Sequence, residues 1–218
     1  MVFYASCYAH DWRPYYRYTI VAPSVEVVDE WYRLTRDAGT DIHRHAPDFY
    51  THPYSVPPYT KLDGSDNQKL KEQLRFTQNN DQEGIYRGEY SFPDQFAPDH
   101  TSGKAFYIRS KSDPTVFWHD NDGFIVASKT ERTKFRVTGK TRPEKDHVMI
   151  RSDHISITVI GKDNGYVRND DGILVTGGSG NDTFLFSDFK TAFLPSGVSG
   201  DAVMKKVEND GDEWELVA

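Results

Sequence analysis

The chain has 218 residues, of which 37% are hydrophobic, 27% charged and 14% aromatic. No apolar run approaches the roughly 18 residues that a membrane-spanning helix needs, so membrane insertion is not expected, and the aromatic content is too high for a disordered chain. The formal net charge is -7, and an acidic protein without a basic arm repels phosphate backbones, which disfavours nucleic acid as a partner.

The amino-terminal segment carries the only cysteine, Cys7, so an internal disulfide is excluded. Met1–Asp11 lacks the basic and apolar regions of a signal peptide. Both features predict a cytoplasmic protein. Cys7 is close in sequence to His10 and Asp11, but a free cysteine is more often a small buried apolar residue than a nucleophile.

Residues 1–102 are predicted to form an α+β segment. Tyr15–Val21 alternates like a strand, and Ser24–Ala38 has the periodicity of a helix. Ser24 is a suitable N-cap, and Gly39 is a suitable residue to end the helix. The apolar stripe of this helix comprises Val27, Trp31, Leu34 and Ala38.

The segment His43–Tyr59 contains four prolines and is predicted to be an ordered loop. It carries His43, His45 and His52. Residues two apart on a strand point to the same side, so His43 and His45 could share a metal, although no Cys or Glu lies at the local spacing that would complete a tetrahedron. Histidines without a metal are the more common alternative, and we expect no cofactor.

A second helix is predicted over Asp66–Thr77, where Leu70 and Leu74 share a face. Tyr86–Phe92 alternates like a strand, and a domain boundary is predicted near His100–Gly103.

Residues 103–218 are predicted to form a mainly β domain of short strands joined by polar turns, with no convincing helix. Asp-Gly and Asn-Gly pairs tolerate the positive φ angles of tight hairpins, and many short strands at this spacing favour a closed all-β unit. The predicted strands are Ala105–Arg109, Val116–His119, Phe124–Ser128, Lys134–Val137, Val148–Arg151, Ile155–Ile160, Ile173–Thr176, Thr183–Ser187, Ala202–Val207 and Trp214–Val217.

This second half contains an internal repeat. Tyr107–Ser110 echoes Met149–Ser152, and three units end in an aromatic residue with a β-former two positions on, at Phe135–Val137, Phe184–Phe186 and Trp214–Leu216. Three such units indicate pseudo-threefold symmetry.

The first unit, FYIRSKSDPTVFWHDNDGFIVASKTERTKFRV, resembles one unit of the β-trefoil in small cytoplasmic fungal lectins. The resemblance covers residues 104–218, about half of the chain. It implies a β-trefoil in the C-terminal half and a non-enzymatic, carbohydrate-binding protein with a defence or storage role. The implied partners are glycans or glycoproteins, and homo-oligomerisation is left open.

Two hairpin loops carry the residue types that bind sugars. An aromatic face stacks on sugar C–H groups, while nearby carboxylates and amides bond to the hydroxyls. Two similar loops fit a multivalent binder, in which weak sites gain avidity. The alternative is a tryptophan packed in the core and followed by an ordinary turn. The predicted carbohydrate-binding residues are Trp118, His119, Asp120, Asn121, Asn164 and Tyr166.

Two other classes of function are less favoured than the lectin. One is a protein-interaction module such as a trefoil protease inhibitor, with Thr141–Pro143 and Ser110–Thr115 as the loops that would enter a protease. The other is an enzyme or small-molecule binder whose pocket is lined from the N-terminal half; its candidate lining residues are Tyr15, Tyr16, Trp31, His43 and His45. The sequence contains no Gly-rich phosphate loop, Ser-His-Asp elbow or zinc-finger pattern.

Overall fold

The computed structural model describes residues 2–10, 17–64, 67–79, 95, 97–141, 147–178, 182–197 and 201–218. These residues are 43% strand and 14% helix, which confirms the prediction of a mainly β protein. None of the helices that they form combines the length and the apolar character needed to span a membrane.

The chain divides into two compact units, Met1–Asp99 and His100–Ala218. This division falls slightly before the boundary predicted between residues 102 and 103. Ser102 lies with the second unit because its amide donates to His147 O and its hydroxyl accepts from the Gly139 amide.

The first unit is built on a five-stranded sheet with the order β3-β4-β1-β2-β5. Strand β1 pairs antiparallel with β2 and parallel with β4. Every second residue of β1 is buried, as expected for a strand that packs one face against a core. The strands are β1 Phe3–Ala9, β2 Arg17–Ala22, β3 His43–Ala46, β4 Phe49–His52 and β5 Arg75–Gln78.

Helix α1 spans Val25–Asp37, which confirms the predicted helix. Gly39 follows it with a φ of 80°, the left-handed conformation that favours glycine at a helix end. Among the described residues, the Ser24 hydroxyl finds no amide to cap, so this part of the prediction is wrong. Trp31 is fully buried, and its ring lies 5.3 Å from that of Tyr50 in the sheet.

Two predictions for the first unit are wrong in part. The predicted loop over residues 43–59 contains β3 and β4, because Pro47 falls in the turn between these strands and Pro53 follows the second. The predicted helix over residues 66–77 is limited to α2, Gln68–Lys71, since Arg75–Gln78 pairs with β2 instead. A short 3₁₀ helix spans Thr60–Leu62. The strand predicted over residues 86–92 lies outside the described residues.

The second unit consists of short strands in the order that the sequence predicts, with four exceptions. The segment 148–151 contributes only an isolated bridge at Val148, and the strands β11 and β14 and the short helix α3 were missed. The elements are β6 Ala105–Ser110, β7 Phe117–Asn121, β8 Phe124–Ser128, β9 Phe135–Gly139, β10 His154–Val159, β11 Val167–Asp170, β12 Ile173–Thr176, β13 Phe184–Leu185, α3 Asp188–Thr191, β14 Phe193–Ser196, β15 Ala202–Lys206 and β16 Trp214–Val217.

Three hairpins organise this unit: β7–β8, β11–β12 and β14–β15. Their second strands, β8, β12 and β15, also pair with one another. The other strands lie side by side in the order β16-β6-β9-β10-β13. Asp122 and Gly123, and likewise Asp171 and Gly172, have positive φ angles, which are those of the tight hairpin turn that Asp-Gly favours.

Trp118 lies at the centre of the core of the second unit and is completely buried. Its ring centroid is 5.0 Å from that of Phe193, 5.9 Å from that of Trp214 and 6.1 Å from that of Phe135. The residues that begin the three repeat endings, Phe135, Phe184 and Trp214, are all buried in this one cluster.

We expect Trp118→Ala to destabilise the second unit by about 3–5 kcal/mol, because it leaves a large cavity in a close-packed core. Phe124→Ala, which removes a ring that is 48% exposed, serves as the matched aromatic control and should change the free energy of unfolding by less than ~1 kcal/mol. Urea unfolding of the intact chain, followed by tryptophan fluorescence, measures both. Equal effects of the two substitutions would contradict the central position of Trp118.

Candidate functional site

Trp118 cannot present a ring face to a sugar, because the ring is enclosed by other aromatic side chains. The alternative given by the sequence, a tryptophan packed in the core, describes its environment. Trp118 is therefore removed from the set of candidate sugar-stacking residues.

Thr133 fixes the end of β7 beside this core. Its amide donates to Trp118 O at 3.0 Å, and its hydroxyl accepts from the Asp120 amide at 2.9 Å. The same hydroxyl lies 3.1 Å from His119 Nδ1. His119 is half-buried, and its ring is held by this hydrogen bond. It therefore stabilises the hairpin and is less available to a ligand than an exposed side chain would be.

Asp120 is engaged by a cation and a hydroxyl from the neighbouring repeat. Lys162 Nζ lies 2.6 Å from Asp120 Oδ2, and Thr176 Oγ1 donates to Asp120 Oδ1 at 2.8 Å. Lys162 Nζ also donates to Thr176 Oγ1 at 2.8 Å. Since the Asp120 side chain is only 10% exposed and both its oxygens accept bonds within the protein, Asp120 acts as an anchor between the two repeats.

The second predicted loop is a tight turn that starts from Lys162. Asn164 is exposed, with a φ of 55°. Gly165 follows in a crowded position, because a Cβ there would lie 3.0 Å from Lys162 O and 3.1 Å from Val159 Cβ, so a larger residue would displace its neighbours. Tyr166 is half-buried, and its carbonyl accepts from the Gly177 amide at 2.9 Å.

The two loops, which the sequence suggested as separate sites, belong to one surface. The Thr176 amide donates to Gly123 O at 2.7 Å, and Val175 is the partner of Phe124 across β12 and β8. Strand β12 therefore lies between the turn of the first hairpin and the strand that follows Tyr166. We call this surface the hairpin face; its outward side chains are Asn121, Phe124, Lys162, Asn164 and Tyr166.

Sequence reasoning missed Phe124, Lys162 and Thr176. A signal existed for Phe124, which directly follows an Asp-Gly turn and is out of phase with the buried Ile125 in its strand. No local signal identifies Lys162 or Thr176, because both contact Asp120, which is 42 and 56 positions away from them in the sequence.

The loop Ser110–Thr115 is held by its own side chains. The Asp113 amide donates to Ser110 Oγ at 3.2 Å, and the hydroxyl and amide of Thr115 both donate to Asp113 Oδ1. The hydrogen bonds from Thr115, with the ion pair to Lys129, lower the pKa of Asp113 to about 2. The loop is thus exposed but preorganised. Residues 142 and 143 of the other predicted loop lie outside the described residues.

The candidate residues of the first unit separate into buried and exposed groups. His52 is fully buried, with Nδ1 2.8 Å from Pro53 O, and His45 Nε2 lies 3.0 Å from Thr51 Oγ1. His43 lies instead beside Asp41, with an ion-pair distance of 3.1 Å. Burial of Cys7 raises the pKa of its thiol, which keeps it protonated and unreactive. Trp31 is buried as well and cannot line an open pocket; residues 15 and 16 lie outside the described residues.

Comparisons of the chain with protein-family models, with curated proteins and with solved structures found no match.

The anchor predicts a measurable energetic coupling between Asp120 and Thr176. In a double-mutant cycle of Asp120→Ala and Thr176→Val, we expect a coupling of about 0.5–3 kcal/mol in the free energy of unfolding, because the two residues share one network. The exposed pair Arg168 and Asp170, 3.4 Å apart, provides the control cycle, with a coupling below ~1 kcal/mol. Additive effects at Asp120 and Thr176 would show that the repeats are not joined through this network.

Proposed function

We propose that the unit His100–Ala218 is a β-trefoil that binds carbohydrate without catalysis and does so at the hairpin face. The trefoil is supported by the three hairpins with mutually paired second strands and by the five neighbouring strands that accompany them. It is supported further by the burial of Phe135, Phe184 and Trp214 in one core.

The observation that carries the binding proposal is the convergence of the two predicted loops on the anchor of Asp120, Lys162 and Thr176. The exposed ring of Phe124 offers an apolar face for sugar C–H groups, and the exposed amides of Asn121 and Asn164 offer partners for hydroxyls. Neighbouring strands are about 4.8 Å apart, so β8, which carries Phe124, and β11, which follows Tyr166, are roughly 10 Å apart with β12 between them.

The anchor also explains how a shallow surface can bind with useful affinity. A loop that is already ordered loses little conformational freedom when a ligand binds. The ligands that fit this face are glycans or glycoproteins recognised through a few sugar units, without a cofactor. The resemblance to small cytoplasmic fungal lectins extends the proposal to a cytoplasmic location and a defence or storage role.

A glycan array probed with the intact chain, followed by calorimetry with the best ligand, tests this function. We expect Phe124→Ala to weaken that ligand roughly tenfold, the equivalent of a lost stacking contact of about 1.4 kcal/mol. Leu185→Ala removes another exposed apolar side chain, 37% exposed on β13, and should leave affinity unchanged. A folded protein that binds nothing on the array, or that loses affinity equally in both variants, would refute the proposal.

A second candidate function, a protein-interaction module such as a protease inhibitor, is favoured by the preorganised Ser110–Thr115 loop. A rigid, exposed loop can enter an active site with little loss of entropy. Inhibition of serine or cysteine proteases by the intact chain, abolished when this loop is replaced by a glycine linker, would favour this function over carbohydrate binding.

The rigidity of this loop has a pH signature. The pKa of Asp113 is lowered to about 2, so the stabilisation that it contributes is present above the ordinary aspartate value and is lost as the pH falls through about 2. We expect Thr115→Val to raise the pKa of Asp113 towards the ordinary value of about 3.9, because the strongest hydrogen-bond donor is removed. An NMR titration of the Asp113 carboxyl measures this; a titration that is identical in the variant would show that the loop is not held in this way.

A further inference from the structure

Three potential metal ligands lie together at one end of the first sheet: the half-buried His10 and the exposed Asp41 and His43. Their ligand atoms all lie within 4.8 Å of one another. His43 Nε2 is 3.1 Å from Asp41 Oδ1, and His10 Nε2 is 3.5 Å from Asp41 Oδ2. The two imidazole rings are 5.0 Å apart between centroids.

The sheet brings these residues together from distant parts of the sequence. The His10 amide donates to His52 O at 3.0 Å, so His10 continues the pairing of β1 with β4. His43 is the partner of Thr51 on the other side of β4. Because β4 lies between β1 and β3, both histidines are held at the same end of the sheet. Asp41 precedes Ile42, whose buried side chain fixes the segment just before β3 in the core.

We propose that His10, Asp41 and His43 form a binding site for a divalent transition-metal ion of the Zn²⁺ class. Zinc bound tetrahedrally at about 2.0–2.2 Å from nitrogen and oxygen holds its ligand atoms about 3.3 Å apart. The distances from His43 Nε2 to Asp41 Oδ1, 3.1 Å, and from His10 Nε2 to Asp41 Oδ2, 3.5 Å, are close to this value, with one carboxylate oxygen facing each imidazole. Since all three ligand atoms lie within 4.8 Å of one another, rotations of these side chains can bring them around one ion.

The donor set selects the kind of metal. Two imidazoles and one carboxylate suit Zn²⁺, Cu²⁺ or Ni²⁺, whereas Ca²⁺ and Mg²⁺ require mainly oxygen ligands. The Asp41 side chain is 72% exposed and that of His43 57% exposed, so the ion is open to solvent and a water completes its coordination. His10 Nε2 lies 2.8 Å from the carbonyl oxygen of Asp41, a hydrogen bond that requires a proton on Nε2. When the metal binds Nε2, this hydrogen bond is lost, and the neutral ring carries its one proton on Nδ1.

His45 provides a matched control. It lies two residues from His43 on the same strand and is also exposed, but its Nε2 is hydrogen-bonded to Thr51 Oγ1. The sequence alone pairs His43 with His45, whereas the structure pairs His43 with His10. Single substitutions therefore distinguish the two pairings: metal binding depends on His10 if the structural pairing is right, and on His45 if the pairing from the sequence is right.

Calorimetry of the intact chain with ZnCl₂, and with MgCl₂ as the hard-cation comparison, tests the site. We expect one Zn²⁺ to bind per chain and Mg²⁺ to give no signal at the same concentration. His10→Ala and His43→Ala should each weaken Zn²⁺ binding by at least about tenfold, since even the loss of an outer hydrogen-bond partner of a metal ligand costs that much. His45→Ala should leave the affinity within about twofold.

Several results would overturn the proposal. These are a folded wild-type chain that binds no Zn²⁺, a His10→Ala variant with wild-type affinity, and a His45→Ala variant that is weakened as much as His43→Ala. All three substitutions are at side chains that are at least partly exposed, and circular dichroism of each variant confirms that the fold is retained. Zinc-dependent shifts of the imidazole ¹⁵N resonances of His10 and His43 provide a second readout that does not depend on affinity.

Discussion

The second unit depends on the mutual pairing of β8, β12 and β15, the second strands of its three hairpins. This pairing holds the turn at Gly123 against Thr176 and so gives Lys162 and Thr176 access to Asp120. Because side chains alternate along a strand, a shift of one residue in register would exchange the buried and exposed faces. The packing of Trp118 therefore also fixes which side chains reach the hairpin face.

In the first unit, a buried ion pair fixes which side chains of β3 face the core and which face outward. Arg44 lies 3.4 Å from the fully buried Asp29 and 2.7 Å from Asp99, and the interaction with these carboxylates raises the pKa of the guanidinium despite its burial. Such pairs contribute more to geometry than to net stability, because removing charges from water is costly. Arg44 points inward from β3, so its neighbours His43 and His45 must point outward.

The sequence identified features that depend on local physics and failed where distant segments decide. The periodicity of α1 and the Asp-Gly turns required only neighbouring residues, and both are present. The pairing of β4 with β1 and the position of His10 beside His43 depend on strand order, which no local pattern encodes. Trp118 shows the limit most clearly, since its sequence neighbours are of the types that can bind sugars and only its burial excludes a stacking role for its ring.

The alternation of strand β7 separates the side chains that face the core from those that face outward. Trp118 and Asp120 are two residues apart and share the inward face, whereas His119 and Asn121 share the other. An inward carboxylate must be compensated where the core ends, and Lys162 and Thr176 provide that compensation. The interaction that stabilises the inward Asp120 is thus the same one that brings the second loop to the first. In this hairpin, the compensation of a largely buried charge and the assembly of the hairpin face therefore have a single cause.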